Sequence, residues 1–237
     1  PYTSDFETPA GQAVWTLVNA PDGDDDAFVN HWMFGTDPEG VAEGNSVGLY
    51  ITNDDEANAY TVSSTSLPFV YAQFMMPAGN YDMSFDWKAN GESTFDFLRA
   101  FVVPAETEVY STSSTFYIGG QSIANTTQLS GDNMVTVTNG AKAYFNLVED
   151  WNTASTSFTI TAGGIYKVIF YWKNDFSQGA QTPAAIGNIS ITKQACGIIT
   201  TLKAEDITTT TAHLTWTAAE DATGYKVVVL PAGQRLT

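Results

Sequence analysis

Short runs in which apolar and polar residues alternate recur along the 237-residue chain: VGLYIT (47–52), FVYAQFMM (69–76), YDMSFDWK (81–88), DFLRAFVVP (96–104), YKVIFYWK (166–173) and IGNISITK (186–193). A period of two puts every second side chain on one face, which is the pattern of a half-buried strand. Turn signals separate the runs, among them Pro77-Ala78-Gly79-Asn80, Asn90-Gly91, Gly119-Gly120, Asn139-Gly140 and Gly163-Gly164. Many short strands with Gly and Asn turns predict an all-β chain, an antiparallel jelly-roll sandwich. Trp15, Trp87, Trp172 and Trp216 are expected in cores.

Near Cys196 the pattern changes. After it, TAHLTWT places Ala212, Leu214 and Trp216 on one face, and GYKVVVL follows an acidic turn. The expected division is 1–195 and 196–237, and the second piece is too short to bury a core of its own. With one cysteine, no internal disulfide can form.

The chain carries 26 acidic and 9 basic residues, a formal charge of −17. That disfavours nucleic acid and anionic membrane surfaces, which are held by clustered Lys and Arg. No run reaches the roughly 18 apolar residues of a membrane span, and the first residues lack the basic-then-apolar order of a signal peptide. The acidity suits a solvated surface, and it also suits a bound cation.

Two places bring acids together. If 84–104 is a hairpin turning at Gly91, Trp87 faces Phe95, Phe85 faces Phe97, and Asp86 lies opposite Asp96. Opposed carboxylates need relief, from Lys88 as a diagonal neighbour or from Ca²⁺; the third possibility is a different register. Glu92 would join such a site from the turn. The loop Asp22-Gly23-Asp24-Asp25-Asp26 offers carboxylates at the spacing calcium uses, without the twelve-residue loop that ends in a bidentate Glu. A metal-free acidic loop fits the same residues.

Catalytic patterns are missing. His31 and His213 are far apart, which with a single Cys argues against zinc. No Gly-x-Ser-x-Gly elbow, phosphate-cradling loop or dinucleotide fingerprint occurs, and nothing singles out a carboxylate pair for glycoside hydrolysis. Trp32, Phe34, Tyr60, Trp151 and Phe176 stand in polar, loop-like contexts, where a ring can stack on a sugar or anchor a protein partner. Trp32, Tyr60 and Trp151 are the candidates for a binding rim.

The segments DFETPAGQAVWTLVNAPDGDDD, NSVGLYITNDDEANAY, AGNYDMSFDWKANGESTFDFLRAFVVP and YKVIFYWKNDFSQGAQTPAAIGNISI resemble the jelly-roll domain of the cleaved-adhesin and choice-of-anchor J type, related in shape to MAM domains. The resemblance spans about residues 3–195. The tail 197–237 resembles the first strands of a fibronectin type III (immunoglobulin-like) sandwich, with Leu202, Trp216 and Tyr225 at its usual core positions. This implies a non-catalytic binding module of a secreted or cell-surface protein of Gram-negative anaerobes, attached to the outer membrane and recognising glycans or matrix proteins as a monomer. It also implies structural Ca²⁺, with Glu7, Asp22, Glu92 and Asp96 as the acids by position. Where the family commonly has Asp-Asn in its closing strand, this chain has Gly187-Asn188, one oxygen donor fewer. A spacer role and a glycoside hydrolase are the alternative functions.

Overall fold

A computed structural model describes residues 1–194, 199, 201–218, 225 and 227–229. Cys196, and with it the boundary expected between residues 195 and 196, lies outside the described residues. By internal contacts the chain divides into Pro1–Lys193 and Gln194–Thr237.

The first unit is built from antiparallel strands: β1 (Tyr2–Ser4), β2 (Trp15–Val18), β3 (His31–Gly35), β4 (Gly48–Thr52), β5 (Phe69–Met76), β6 (Gly79–Ala89), β7 (Phe97–Pro104), β8 (Val109–Ser111), β9 (Phe116–Ile118), β10 (Gln121–Ser122), β11 (Val135–Val137), β12 (Val148–Ile160), β13 (Gly164–Lys173) and β14 (Ala185–Lys193). One sheet runs β12-β6-β14-β4-β3, with β1 added to β14; the other runs β11-β7-β13-β5-β2. The two form an antiparallel jelly-roll sandwich. Met83, Phe85 and Trp87 of β6 face inward and share a core with Leu98, Ala100 and Val102 of β7 and Val168, Phe170 and Trp172 of β13. Burying each large side chain contributes roughly 1.5–3 kcal/mol, so the alternation seen in the sequence sets which faces meet.

The second sheet is covered on its other side too. Phe97, Phe101 and Val103 of β7, with Ile169 and Tyr171 of β13, pack against Phe116, Ile118 and Ile123 of a small cap formed by β8, β9 and β10. A strand buried on both faces reads as a near-continuous apolar run, and FLRAFVVP is such a run. Arg99 sits fully buried in this second core. Its guanidinium donates to the carbonyls of Ala124, of Asn125 (3.1 Å) and of Thr127 (2.5 Å), which ties the cap to the sandwich. Burial lowers the Arg99 pKa to about 10, against the neighbouring Tyr171, which acts to raise it.

The hairpin expected over 84–104 does not form. β6 pairs with β12 and β14, whereas β7 pairs with β11 and β13, so the Asn90-Gly91 segment crosses from one sheet to the other. Asp86 and Asp96 are not opposed. Asp86 accepts from Thr153 (2.6 Å) and Asn188 (2.7 Å) on the outer face. Lys88 pairs with Glu39 at 2.8 Å, relieving neither aspartate. Gly91 makes the crossing possible: it has a φ of 80°, and a Cβ there would press on Asp96.

In the second unit, Lys203–Glu205 pairs with His213–Thr215, and the rings of Trp216 and Tyr225 meet edge-on at 5.3 Å. Leu202, Leu214, Trp216 and Tyr225 line one shallow apolar concavity.

Candidate functional site

The crossing between sheets builds an acidic cluster. One carboxylate oxygen each from Glu92, Asp96 and Asp175 lies within 4.8 Å of the others. Glu92 and Asp96 belong to the turn that closes after Gly91, where the Asp96 amide donates to the Glu92 carbonyl at 3.2 Å. Asp175 follows β13. Its amide donates to Asp96 Oδ1 at 3.0 Å, while the Tyr60 hydroxyl donates to Oδ2 at 2.7 Å. The buried Asn146 amide donates to the carbonyls of Glu92 (3.1 Å), Ser93 (2.8 Å) and Asp96 (3.2 Å), which fixes the turn from beneath. Gly91 and Ala180 exchange backbone hydrogen bonds of 2.8 and 3.0 Å, tying the 175–182 segment alongside. Gly179 runs so close that a Cβ would overlap the Tyr60 hydroxyl and the Asp96 carboxylate.

The electrostatics of this cluster are unfavourable without a cation. Asp96 is fully buried. Burial pushes its pKa up to about 6, and Asp175 and Glu92 push the same way, against the hydrogen bonds from Tyr60 and Asp175. Burial also raises the Tyr60 pKa, as does the neighbouring Asp96 carboxylate. Glu92 Oε2 is buried and accepts no hydrogen bond. Calcium binds oxygens at about 2.3–2.6 Å, so ligands across one ion stand about 5 Å apart. The three carboxylates fit a single Ca²⁺ on that spacing, and the orphaned Glu92 oxygen gives it a donor with no other partner.

Among the four acids expected to bind metal, the structure brings Glu92 and Asp96 together and leaves the other two elsewhere. Glu7 Oε1 accepts the amides of Ser46 and Val47 (2.5 and 3.1 Å), and Asp22 is exposed in its loop. Asp175 was missed, although the Trp-Lys-Asn-Asp run that contains it was one of the segments carrying the resemblance.

The aromatic candidates divide differently. Trp32 is fully buried in β3, its indole donating to the Pro68 carbonyl at 3.2 Å, and it offers no ring to a partner. Tyr60 is buried as well, edge-on to Trp172 at 5.6 Å, and serves the acidic cluster through its hydroxyl. Both corrections have one cause: polar neighbours in sequence belong to connecting segments that fold over the ring. Trp151 stays half-buried, where the β12–β6 register shifts between Val148 and Asn152. Two further rings are exposed beside the cluster. Phe95 (48% exposed) precedes Asp96, and Phe176 (72% exposed) follows Asp175.

The outer face of the first sheet is polar, with a shallow groove of about 350 Å³ between β12, β6 and β14. On this face Ser157 donates to Asp82 at 2.6 Å and Thr159 to Asn80 at 2.7 Å.

No protein-family model matches the chain, and no curated protein matches it. Several solved structures resemble it in shape. Tailspike protein 4 of bacteriophage CBA120, described as an enzymatically active domain, aligns at 14% identity and a TM-score of 0.44, over 80% of this chain and 20% of that one. This chain therefore spans about a fifth of the tailspike's length. TmCBM61, solved in complex with beta-1,4-galactotriose, aligns at 10% identity and a TM-score of 0.42, over 81% and 99% of the two chains. The CBM22-1 xylan-binding domain from Paenibacillus barcinonensis aligns at 10% identity and a TM-score of 0.43, over 80% and 91%.

Proposed function

We propose that Pro1–Lys193 is a non-catalytic glycan-binding module of a secreted or cell-surface protein, and that it holds Ca²⁺ between Glu92, Asp96 and Asp175. The observation that carries this reading is the pairing of a fitting carboxylate cluster with the two exposed rings of Phe95 and Phe176 on the segments that build it. Three carboxylates leave coordination positions open on an ion that takes six to eight oxygens, and vicinal sugar hydroxyls are suitable oxygens. An exposed ring supplies the apolar face on which a pyranose stacks. Trp151 lies toward the same end, since its neighbour Glu149 accepts from Asn90 at 3.1 Å.

The same geometry argues against hydrolysis. Asp96 is enclosed and both of its oxygens are engaged, so it is not presented to a glycosidic bond as an acid or nucleophile. In this reading the module is of the cleaved-adhesin and choice-of-anchor J type and works as a monomer. Its second unit begins a fibronectin type III sandwich, to which Leu202, Trp216 and Tyr225 contribute.

Calorimetry of the full chain with CaCl₂, followed by a glycan array with Ca²⁺ or with EDTA, tests the proposal. Calcium uptake and a Ca²⁺-dependent glycan signal lost in Phe176→Ala are expected. Calcium uptake with no glycan or matrix-protein ligand would favour a spacer. Release of reducing ends from a bound polysaccharide would make the module a hydrolase.

A further inference from the structure

The cap and the Asp-rich loop enclose a second concavity, away from the acidic cluster. It is a groove of about 430 Å³ lined by Val18, Asp22, Tyr71, Val109, Tyr110 and Lys167, among others. Lys167 lies six residues before the end of β13 at Lys173, about 20 Å along the strand. We infer that this groove is a cation-independent binding site for an uncharged sugar residue. The inference rests on the proposed glycan-binding function but not on the calcium site.

Three hydrogen bonds build the groove in advance. The Asp22 amide donates to the Ser111 carbonyl at 2.6 Å, which fastens the Asp-rich loop to the cap. The Ser111 hydroxyl donates to the Leu67 carbonyl at 2.6 Å, and Lys167 Nζ donates to the Thr107 carbonyl at 2.8 Å; both fasten the cap to the sandwich. The base of the loop is held by Asn19, whose amide donates to the Trp32 carbonyl and whose oxygen accepts the Trp32 amide, each at 2.9 Å. A wall set by such bonds loses little entropy when a ligand arrives.

The chemistry of the lining selects the ligand. Half-buried Tyr71 and Tyr110 offer ring surface, and Val18 and Val109 add apolar wall. Tyr110 is braced by a stacked Tyr117 at 5.0 Å. Lys167 stands 5.7 Å from the Tyr71 ring centroid and spends one ammonium hydrogen on Thr107, leaving the others to donate. The Asp22 carboxylate accepts from hydroxyls. One donor group and one acceptor group of opposite charge, set among rings, suit a polyhydroxy ligand without charge. An anionic sugar would meet Asp22 and the field of a chain at −17. A cationic one would meet Lys167.

Titration of the full chain with neutral gluco-, xylo-, manno- and galacto-oligosaccharides, in Ca²⁺ and separately in EDTA, tests the assignment. Binding to at least one of them that persists in EDTA is expected. It should weaken tenfold or more in Asp22→Asn and in Tyr110→Ala, each with an unchanged melting temperature, and be unaffected by Phe176→Ala. Because Asp22 is exposed and Asn is isosteric, loss of folding does not complicate that variant. Binding seen only with Ca²⁺ and lost in Phe176→Ala would overturn the groove and leave the proposed function standing. EDTA-resistant binding unchanged in both groove variants would also overturn it. Absence of binding in both conditions would overturn the groove and the glycan-binding function together.

Discussion

Replacing Asp96 by Asn should raise stability without cation and remove most of the stability that Ca²⁺ adds. The folded pKa of Asp96 is about 6 against an ordinary 3.8. The folded state therefore binds a proton more readily than the unfolded state between these values, and stability falls as pH rises through that window. Each pH unit corresponds to about 1.4 kcal/mol, so at pH 7.5 without cation the ionised carboxylate costs up to about 3 kcal/mol. Asn carries no charge, keeps an oxygen for the Asp175 amide and offers an amide toward Tyr60. In EDTA at pH 7.5, Asp96→Asn should melt several degrees above the parent, at about 2–4 °C per kcal/mol for a domain of this size. With Ca²⁺ at a hundredfold excess over its dissociation constant, the parent gains about 2.7 kcal/mol and the variant much less. Calorimetric melting at pH 7.5 and pH 4, in EDTA and in Ca²⁺, reads both effects. A variant that melts lower than the parent in EDTA at pH 7.5, or an equal response of the two proteins to Ca²⁺, would refute a buried, cation-seeking charge at Asp96.

Gly179→Ala forces a methyl group against Tyr60 and Asp96; we expect a loss of at least about 2 kcal/mol in urea unfolding and a weakened calorimetric response to Ca²⁺. Asn146→Ala removes three hydrogen bonds from the 92–96 turn, and Ca²⁺ affinity by calorimetry should fall tenfold or more. Arg99→Ala leaves the Ala124, Asn125 and Thr127 carbonyls without their donor. It should cost about 3 kcal/mol, with amide exchange accelerated in the cap before the rest of the sandwich. In the parent protein, lowering pH from 7 to 5 in Ca²⁺ should weaken the ion's hold, since Asp96 then takes up a proton; calcium titration at each pH checks this.

The sandwich was legible because alternation of Phe85 and Trp87 with polar neighbours admits one buried face. The partner of that strand was not legible. Asn-Gly between two apolar runs is a strong hairpin signal, yet Gly91 here carries the chain between sheets and bonds with Ala180. Nothing local distinguishes the two outcomes, because the deciding contacts come from residues some ninety positions downstream. The same distance hid Asp175, which meets Asp96 only once β7 and β13 lie side by side. Glu92 and Asp96 were named together through a hairpin that does not form, and they meet because both belong to the turn after Gly91. Trp32 and Tyr60 were misjudged because polar sequence neighbours say little about which segment lies on top of a ring. The burial of Arg99 depends on carbonyls at 124–127, some twenty-five residues downstream, and nothing next to it in sequence announces them.

β1 runs antiparallel to β14 over three residues, with Tyr2 beside Ile191. Residues 1 and 193 therefore leave the sheet at one edge, next to each other. Traction between them would open β1 from β14 one hydrogen bond at a time, like a zip, instead of shearing all of them together. A tether carrying tension through this point would give up β1 first, at low force, while the cores on either side of the second sheet stay closed.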